Sequence, residues 1–147
     1  MPTNMFYKLL PQQVPVFWEA IKLACVSADE VKSTDAGPYV NELLHALLNN
    51  KAQCWLRLNE ERRLVALSIT RIKFSPQTEE KQLFIQVAYS WELVPDDVWY
   101  RDLGILREYA KKEGCTSVGF ISGNSRIWDI GYSCGFTEVS RTFSHIL

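Results

Sequence analysis

The spacing of apolar residues changes along the chain from extended to helical, then to alternating, and back to helical. Residues 5–10 (MFYKLL) predict a short first strand, ended by Pro11. Val14, Phe17, Trp18, Ile21, Ala24 and Cys25 then recur at helical spacing and predict an amphipathic helix of about three turns. Residues 27–37 (SADEVKSTDAG) are polar and turn-prone, and predict a loop. Pro38 opens a second helix, because proline is tolerated in a first helical turn. Its buried stripe is Val40, Leu43, Leu44, Leu47 and Leu48, and Asn49 with Asn50 marks its end.

The period then becomes that of strands. Residues 53–58, 64–74 and 82–89 are strand-like runs, joined by the polar turn Asn59-Glu60-Glu61-Arg62 and by residues 75–81 with Pro76. That pattern predicts an antiparallel meander. In the middle run, Val65, Leu67 and Ile69 share one parity while Ile72 and Phe74 have the other, which predicts a bulge or bend near Thr70 and Arg71. Pro95, Asp96 and Asp97 open a long helix that reaches Lys112 and Glu113, with Gly114 at its C-cap and Trp99, Leu103, Leu106 and Ala110 inside. Residues 116–121 predict a strand, 125–133 a short helix and 136–146 a final strand. The expected architecture is α/β (α+β): a central mixed, mostly antiparallel sheet flanked by helices, in the order β-α-α-β-β-β-α-β-α-β, as one domain over residues 1–147.

Composition narrows this picture only where it excludes something. The 47% hydrophobic content of the 147 residues suffices for a core, and the net charge of −1 with no basic run argues against nucleic-acid binding. Cys25, Cys54, Cys115 and Cys134 lie too far apart for a zinc or redox motif and read as small buried hydrophobes, so no metal is expected. The N-terminal stretch has no export-signal pattern, and no run reaches the ~18–20 apolar residues of a membrane span. Together these features lead us to expect a cytoplasmic protein.

The order of elements, together with two motifs, resembles the GNAT acetyltransferase superfamily over nearly the whole chain. Ala110-Lys111-Lys112-Glu113-Gly114-Cys115 is similar to the end of that family's central helix. Asn124-Ser125-Arg126-Ile127-Trp128-Asp129-Ile130-Gly131-Tyr132-Ser133-Cys134-Gly135-Phe136 is similar to its closing motif, in which an Asn starts the last helix and a Gly-Phe pair ends it. The resemblance implies the family's fold. It also implies an acetyl-CoA site in the turn between the fourth strand and the central helix, where an Arg/Gln-x-x-Gly-x-Gly/Ala sequence presents backbone N–H groups to a pyrophosphate.

This chain departs from that pattern. Val94 stands at the basic or amide position, Asp97 and Trp99 at the two small-residue positions, and no glycine occurs between Gln82 and Leu103. Asp96 and Asp97 satisfy the helix dipole that should attract phosphate, and Pro95 removes an N–H donor. The loop Val94-Pro95-Asp96-Asp97-Val98-Trp99 is therefore read as degenerate, with no cofactor expected. The resemblance also implies a Tyr acid on the last helix. Its position here is Gly131, and Tyr132 follows one residue later, turned by about 100°. No catalytic residue is expected; if the chain is active, Tyr132 is the candidate acid.

The remaining candidates have simpler readings. His45 and His145 have no acid or nucleophile spaced to orient them, and the Glu60-Glu61 and Glu79-Glu80 pairs read as solvated loop charges. Gln86 stands where active relatives can carry a Glu base. Tyr89, Trp91, Trp99, Tyr100 and Trp128 cluster near the expected splayed end of the sheet. They are read first as a plug in the ligand cleft, and otherwise as an aromatic patch for a protein partner, framed by Arg101, Arg107 and Arg126.

The expected function is that of a binding or assembly module that has lost acetyl-CoA binding and acetyl transfer. The alternative is an acyl-CoA-dependent N-acetyltransferase with a non-standard cofactor loop. Ala52-Gln53-Cys54-Trp55, Thr70 and Glu113-Gly114-Cys115 further resemble small bacteriophage GNAT-like proteins, which implies a virion-associated or host-directed pseudoenzyme whose partner is another protein. The ending Phe143-Ser144-His145-Ile146-Leu147 offers a strand edge for a homodimer.

Overall fold

A computed structural model describes residues 5–122 and 124–147. Residues 1–4, the start of the stretch read for an export signal, lie outside the described residues, as does Gly123. The elements are β1 (Phe6–Lys8), α1 (Val14–Ala28), α2 (Ala36–Leu48), β2 (Gln53–Leu58), β3 (Leu64–Ser75), β4 (Glu80–Ser90), α3 (Asp96–Lys112), β5 (Ser117–Phe120) and α4 (Ser125–Ser133), with a 3-10 turn at Pro11–Gln13 before α1. The sheet order is β1-β2-β3-β4-β5. The first four strands pair antiparallel, and β5 joins β4 in parallel.

Both faces of this sheet are covered, and that explains the change of parity in β3. Cys54, Leu56, Leu67, Ile69 and Val87 pack with Ile21 and Ala24 of α1 and with Leu43 and Leu47 of α2. On the other face, Trp55, Leu83 and Ile85 pack with Leu106 and Ala110 of α3, and Ile72 joins them. Odd and even residues of β3 thus serve two cores, and no bulge within β3 is needed to reconcile them. The irregularity does occur opposite the expected place, but the extra residue is on the partner strand. Ile69 pairs with Val87 and Thr70 with Ile85, so Gln86 is the unpaired residue, on β4. A bulge inverts the side-chain alternation beyond it. Ile85 faces α3, whereas Val87, two residues later, faces α1 and α2.

Local chemistry sets the element ends. The Asn124 side chain accepts the Arg126 N–H (2.9 Å) and caps α4. Gly135 ends that helix at φ 91°, a conformation that costs a side-chain-bearing residue and costs glycine little. Asp96 and Asp97 at the start of α3, and Lys111 and Lys112 at its end, complement its dipole. Three expectations shift. Helix α1 runs on to Ala28, α2 begins at Ala36 with Pro38 inside its first turn, and β1 is limited to Phe6–Lys8. Leu48 is 44% exposed, and Ala46 takes its place beside Leu43 and Leu47.

The final strand expected over residues 136–146 does not form. Residues 136–147 carry no secondary structure, and all but Phe136 are exposed. A strand exists only through a ladder, and these residues have none here.

Cys25 and Cys54 are buried in the α1–α2 core, as small hydrophobes, while Cys115 and Cys134 are half-buried. Burial, with Asp29 as the next contributor, pushes the Cys25 thiol up to about 12. Burial also raises Cys54. The native chain is expected to give at most two of its four thiols to a chromogenic disulfide reagent near pH 8, and all four once unfolded. The unfolded Cys25 thiol ionises near 9, so the unfolded chain releases a proton the folded one retains. Stability therefore falls as pH rises from about 9 towards about 12, which a pH series of melting temperatures will read.

Candidate ligand cleft

Strands β4 and β5 stay paired only from Gln82 to Ile85 on β4, opposite Ser117 to Phe120 on β5. Past Ile85 the two separate, and a cavity of about 420 Å³ opens between them. Residues 86–88 of β4 form one wall, and Phe120, Ile121 and Ser122 form the other. Past Ile85, among the described residues, β4 has no strand partner on this side. The bulge at Gln86 turns the strand where the gap begins, so a single extra residue both ends one core and opens the cleft.

Charge in this cleft is of one sign. Asp29, Glu30 and Asp102 line it, and no described lining residue is Lys or Arg. Asp102 is 3% exposed and is held by Arg57 of β2, whose Nε donates to Oδ2 (3.1 Å) and whose Nη2 donates to Oδ1. Asp29, at the end of α1, accepts from the Tyr39 hydroxyl and from Gln86 Nε2 (3.1 Å). Gln86 Oε1 in turn accepts from Arg71 Nε (2.6 Å), and Arg71 closes a bidentate pair on Glu42 of α2 (2.6 and 2.8 Å). This chain of bonds fixes the bulge. It also shifts ionisation: burial and the Asp29 hydrogen bond push the Tyr39 phenol up, and the Arg71 hydrogen bonds hold Glu42 below its usual range.

The sequence did not single out Asp29, Tyr39, Arg57 or Asp102, and it marked Arg71 only as a place for a bulge. One signal was available for Asp102. It falls with Trp99, Leu103 and Leu106 on the inward stripe of α3, where a carboxylate needs a partner.

The head of α3 is closed by an ion pair. Arg126 of α4 donates through Nη2 to the Val94 carbonyl (3.0 Å) and to Asp96 Oδ1 (2.9 Å). The Val98 and Trp99 N–H groups bond to the Pro95 carbonyl (3.1 and 3.2 Å), and Asp97 lies 3.9 Å from Arg101. Gly131 sits in the cleft wall, where a Cβ would stand 2.7 Å from the Phe120 ring. Tyr132 is 56% exposed and outside the lining.

The five aromatics do not plug the cleft. Trp99 lines it, with an indole N–H that is buried and unpartnered. Tyr89 and Trp91 pack edge to face (5.0 Å), with Tyr89 against the α1–α2 core and neither in the lining. Tyr100 and Trp128 are exposed, and the Trp128 indole donates to the Ser122 carbonyl. Of the framing arginines, Arg107 is engaged with the Cys134 carbonyl and the Phe136 ring. Both histidines are exposed. No group of three or more metal-ligating side chains gathers among the described residues, and no described helix is long and apolar enough to cross a membrane.

Among solved structures the chain is similar to a predicted acetyltransferase of Clostridium acetobutylicum solved with acetyl-CoA, at 12% identity and a TM-score of 0.73, covering 96% of this chain and 94% of that one. It is also similar to a ribosomal-protein-alanine N-acetyltransferase of Brucella melitensis biovar Abortus, at 11% identity and a TM-score of 0.68, covering 97% and 99%. A GNAT family acetyltransferase of Staphylococcus aureus matches at 15% identity and a TM-score of 0.65, covering 97% of each chain. No family model matches the sequence, and no curated protein does. Agreement over at least 94% of each of these neighbours gives this chain the fold of the GNAT acetyltransferases.

Proposed function

We propose that this chain is a GNAT-fold binding module that does not transfer acetyl groups. The observation that carries this reading is the Arg126 bridge across the head of α3, from the Val94 carbonyl to Asp96. Anion binding at a helix start relies on free N–H donors and on an uncompensated positive dipole. Here Asp96 and Asp97 already supply negative charge, and the nearby guanidinium is engaged with one of them. A pyrophosphate in that place would meet two carboxylates. The cleft offers no Lys or Arg in compensation, and Gly131 brings no acid to its wall. The residues present therefore do not suit CoA held in the usual way.

The partner in this reading is another protein, met through exposed Trp91, Tyr100 and Trp128, side chains of the kind that dominate interface hot spots. The resemblance to small bacteriophage GNAT-like proteins supports a role for such a module in a virion or against a host protein. A second reading keeps the chain an acyl-CoA-dependent N-acetyltransferase with a non-standard cofactor loop. The open cleft favours it, because the unpartnered stretch of β4 past Ile85 suits an extended chain carrying amides.

Calorimetry with acetyl-CoA separates the two. The binding-module reading expects no saturable heat up to millimolar cofactor and no thermal shift. A site filled at a hundred times its dissociation constant would stabilise the fold by ~2.7 kcal/mol, and that result would overturn it.

A further inference from the structure

Past Ile85, one side of β4 is a backbone edge with no strand beside it among the described residues. The Trp91 N–H donates to the Val65 carbonyl (2.9 Å), and the register carries that bonded pairing on to Leu67 with Tyr89 and Ile69 with Val87. Residues between such pairs turn their N–H and C=O groups to the other side of the strand. Ala88 and Ser90 therefore point theirs into the gap beside β5. Ala88 is exposed, and among the described residues no turn or loop backbone bonds to either. From Gln86 to Ser90 the edge runs about 16 Å at ~3.3 Å per residue, room for one short extended segment.

The two walls beside this edge differ in chemistry. On the α1 side stand Asp29 and Glu30, both exposed. Asp29 accepts from the Tyr39 hydroxyl and from Gln86 Nε2 (3.1 Å), and neither donor is a cation. Arg71 bears on Asp29 electrostatically, but its hydrogen bonds go to Glu42 and Gln86. Asp102, the third acid of the cleft, is neutralised by Arg57. The wall on the side of α3 and α4 is apolar, with Leu103, Leu106 and Ile130, and Trp99 adds its unpartnered indole N–H.

We propose that this edge takes an extended segment of a protein partner in which basic residues alternate with apolar ones. The inference rests on the binding-module reading and names the chemistry of the partner which that reading requires. An added strand bonds to the Ala88 and Ser90 backbone, and its side chains point alternately to the two faces. One set meets Asp29 and Glu30, and the other meets Leu103, Leu106 and Ile130. An acidic or wholly apolar segment leaves those two carboxylates without a counter-charge, since no described lining residue is Lys or Arg. The charge that disfavours a pyrophosphate here selects a cation. A cavity of about 420 Å³ is of the size that buries a small ligand, and it holds the middle of such a segment.

The probe is a capped hexapeptide of alternating lysine and leucine, titrated into the full chain by calorimetry. Hydrogen exchange is read at Ala88 and Ser90 in parallel. Saturable binding is expected, with exchange of those two amides slowed about tenfold or more. Asp29→Asn with Glu30→Gln is expected to weaken binding about fivefold, the effect of losing two exposed charge pairs. Glu30→Gln alone should weaken it in the same direction, so a folding defect at Asp29 does not decide the outcome. The same peptide with glutamate for lysine, and the polyamine spermidine, are expected to bind far more weakly. No saturable binding up to millimolar peptide, equal binding of the glutamate peptide, or binding that leaves Ala88 and Ser90 unprotected each overturns the inference. So does equal affinity for spermidine, because the cleft would then be a cation site with no strand in it. Acetyl-CoA is titrated separately. Saturable heat from the cofactor overturns the binding-module reading, whereas a silent peptide beside a silent cofactor overturns this inference alone.

Discussion

Asp102→Ala is expected to destabilise the fold by about 3–5 kcal/mol, the usual penalty for breaking a buried ion pair from one side. Asp102 is 3% exposed and is the counter-charge of Arg57, which reaches from β2 beneath α3 and lies over the Phe6 ring. Burial already presses the Arg57 ionisation below its ordinary value, so the guanidinium tolerates its position only because the carboxylate is there. Removing the carboxylate leaves a largely buried cation beside the Phe6 ring without its counter-charge. Urea unfolding should show a lower midpoint with an unchanged slope. The double variant Arg57→Met with Asp102→Leu is expected to recover most of the loss, since it removes both charges and keeps the volume. A loss under about 1 kcal/mol in the single variant would mean that Arg57 escapes to water, and that the pair does not hold α3 to the sheet.

The next largest effect is expected at Thr70, which is fully buried between two strands. Its Oγ1 accepts from Trp55 Nε1 (3.0 Å) and donates to Gln53 Oε1 (2.8 Å), so one hydroxyl satisfies two buried side chains. Thr70→Val keeps the shape and deletes both bonds. Each group left unpaired costs about 1–3 kcal/mol, and together they should lower stability by a few kcal/mol. Thr70→Ser keeps the hydroxyl and loses one methyl, so it should cost far less. Equal losses in the two variants would show that packing, and not the polar chain, matters at this position. Gln53, Trp55 and Thr70 are among the residues that carried the phage resemblance, and in the fold they form this one cluster.

Much of the fold was legible because short-range rules settle it. The stripe of α3, the Asn cap of α4 and the left-handed Gly135 follow from residue chemistry within a turn or two of chain. The candidate site was legible only in part. Reading the loop at Val94-Pro95-Asp96-Asp97 identified the charges at the head of α3, but not that Arg126, thirty residues on from Asp96, closes over them. Reading the aromatics suggested a plug, whereas Trp99 lines the cleft and Trp91 turns away from it.

What the sequence determined by itself is therefore the order and ends of most elements and the absence of the glycine loop. Periodicity, capping and turn chemistry act locally and leave a direct trace in the residues. Tertiary structure alone decided where the strand bulge lies, since Gln86 is extra only in relation to Ile69 and Thr70 across the ladder. It likewise decided that Asp102 meets Arg57 and that β4 and β5 part into a cleft. The strand expected over residues 136–146 likewise fell to tertiary structure, because a strand is a property of two backbones and these residues find no ladder.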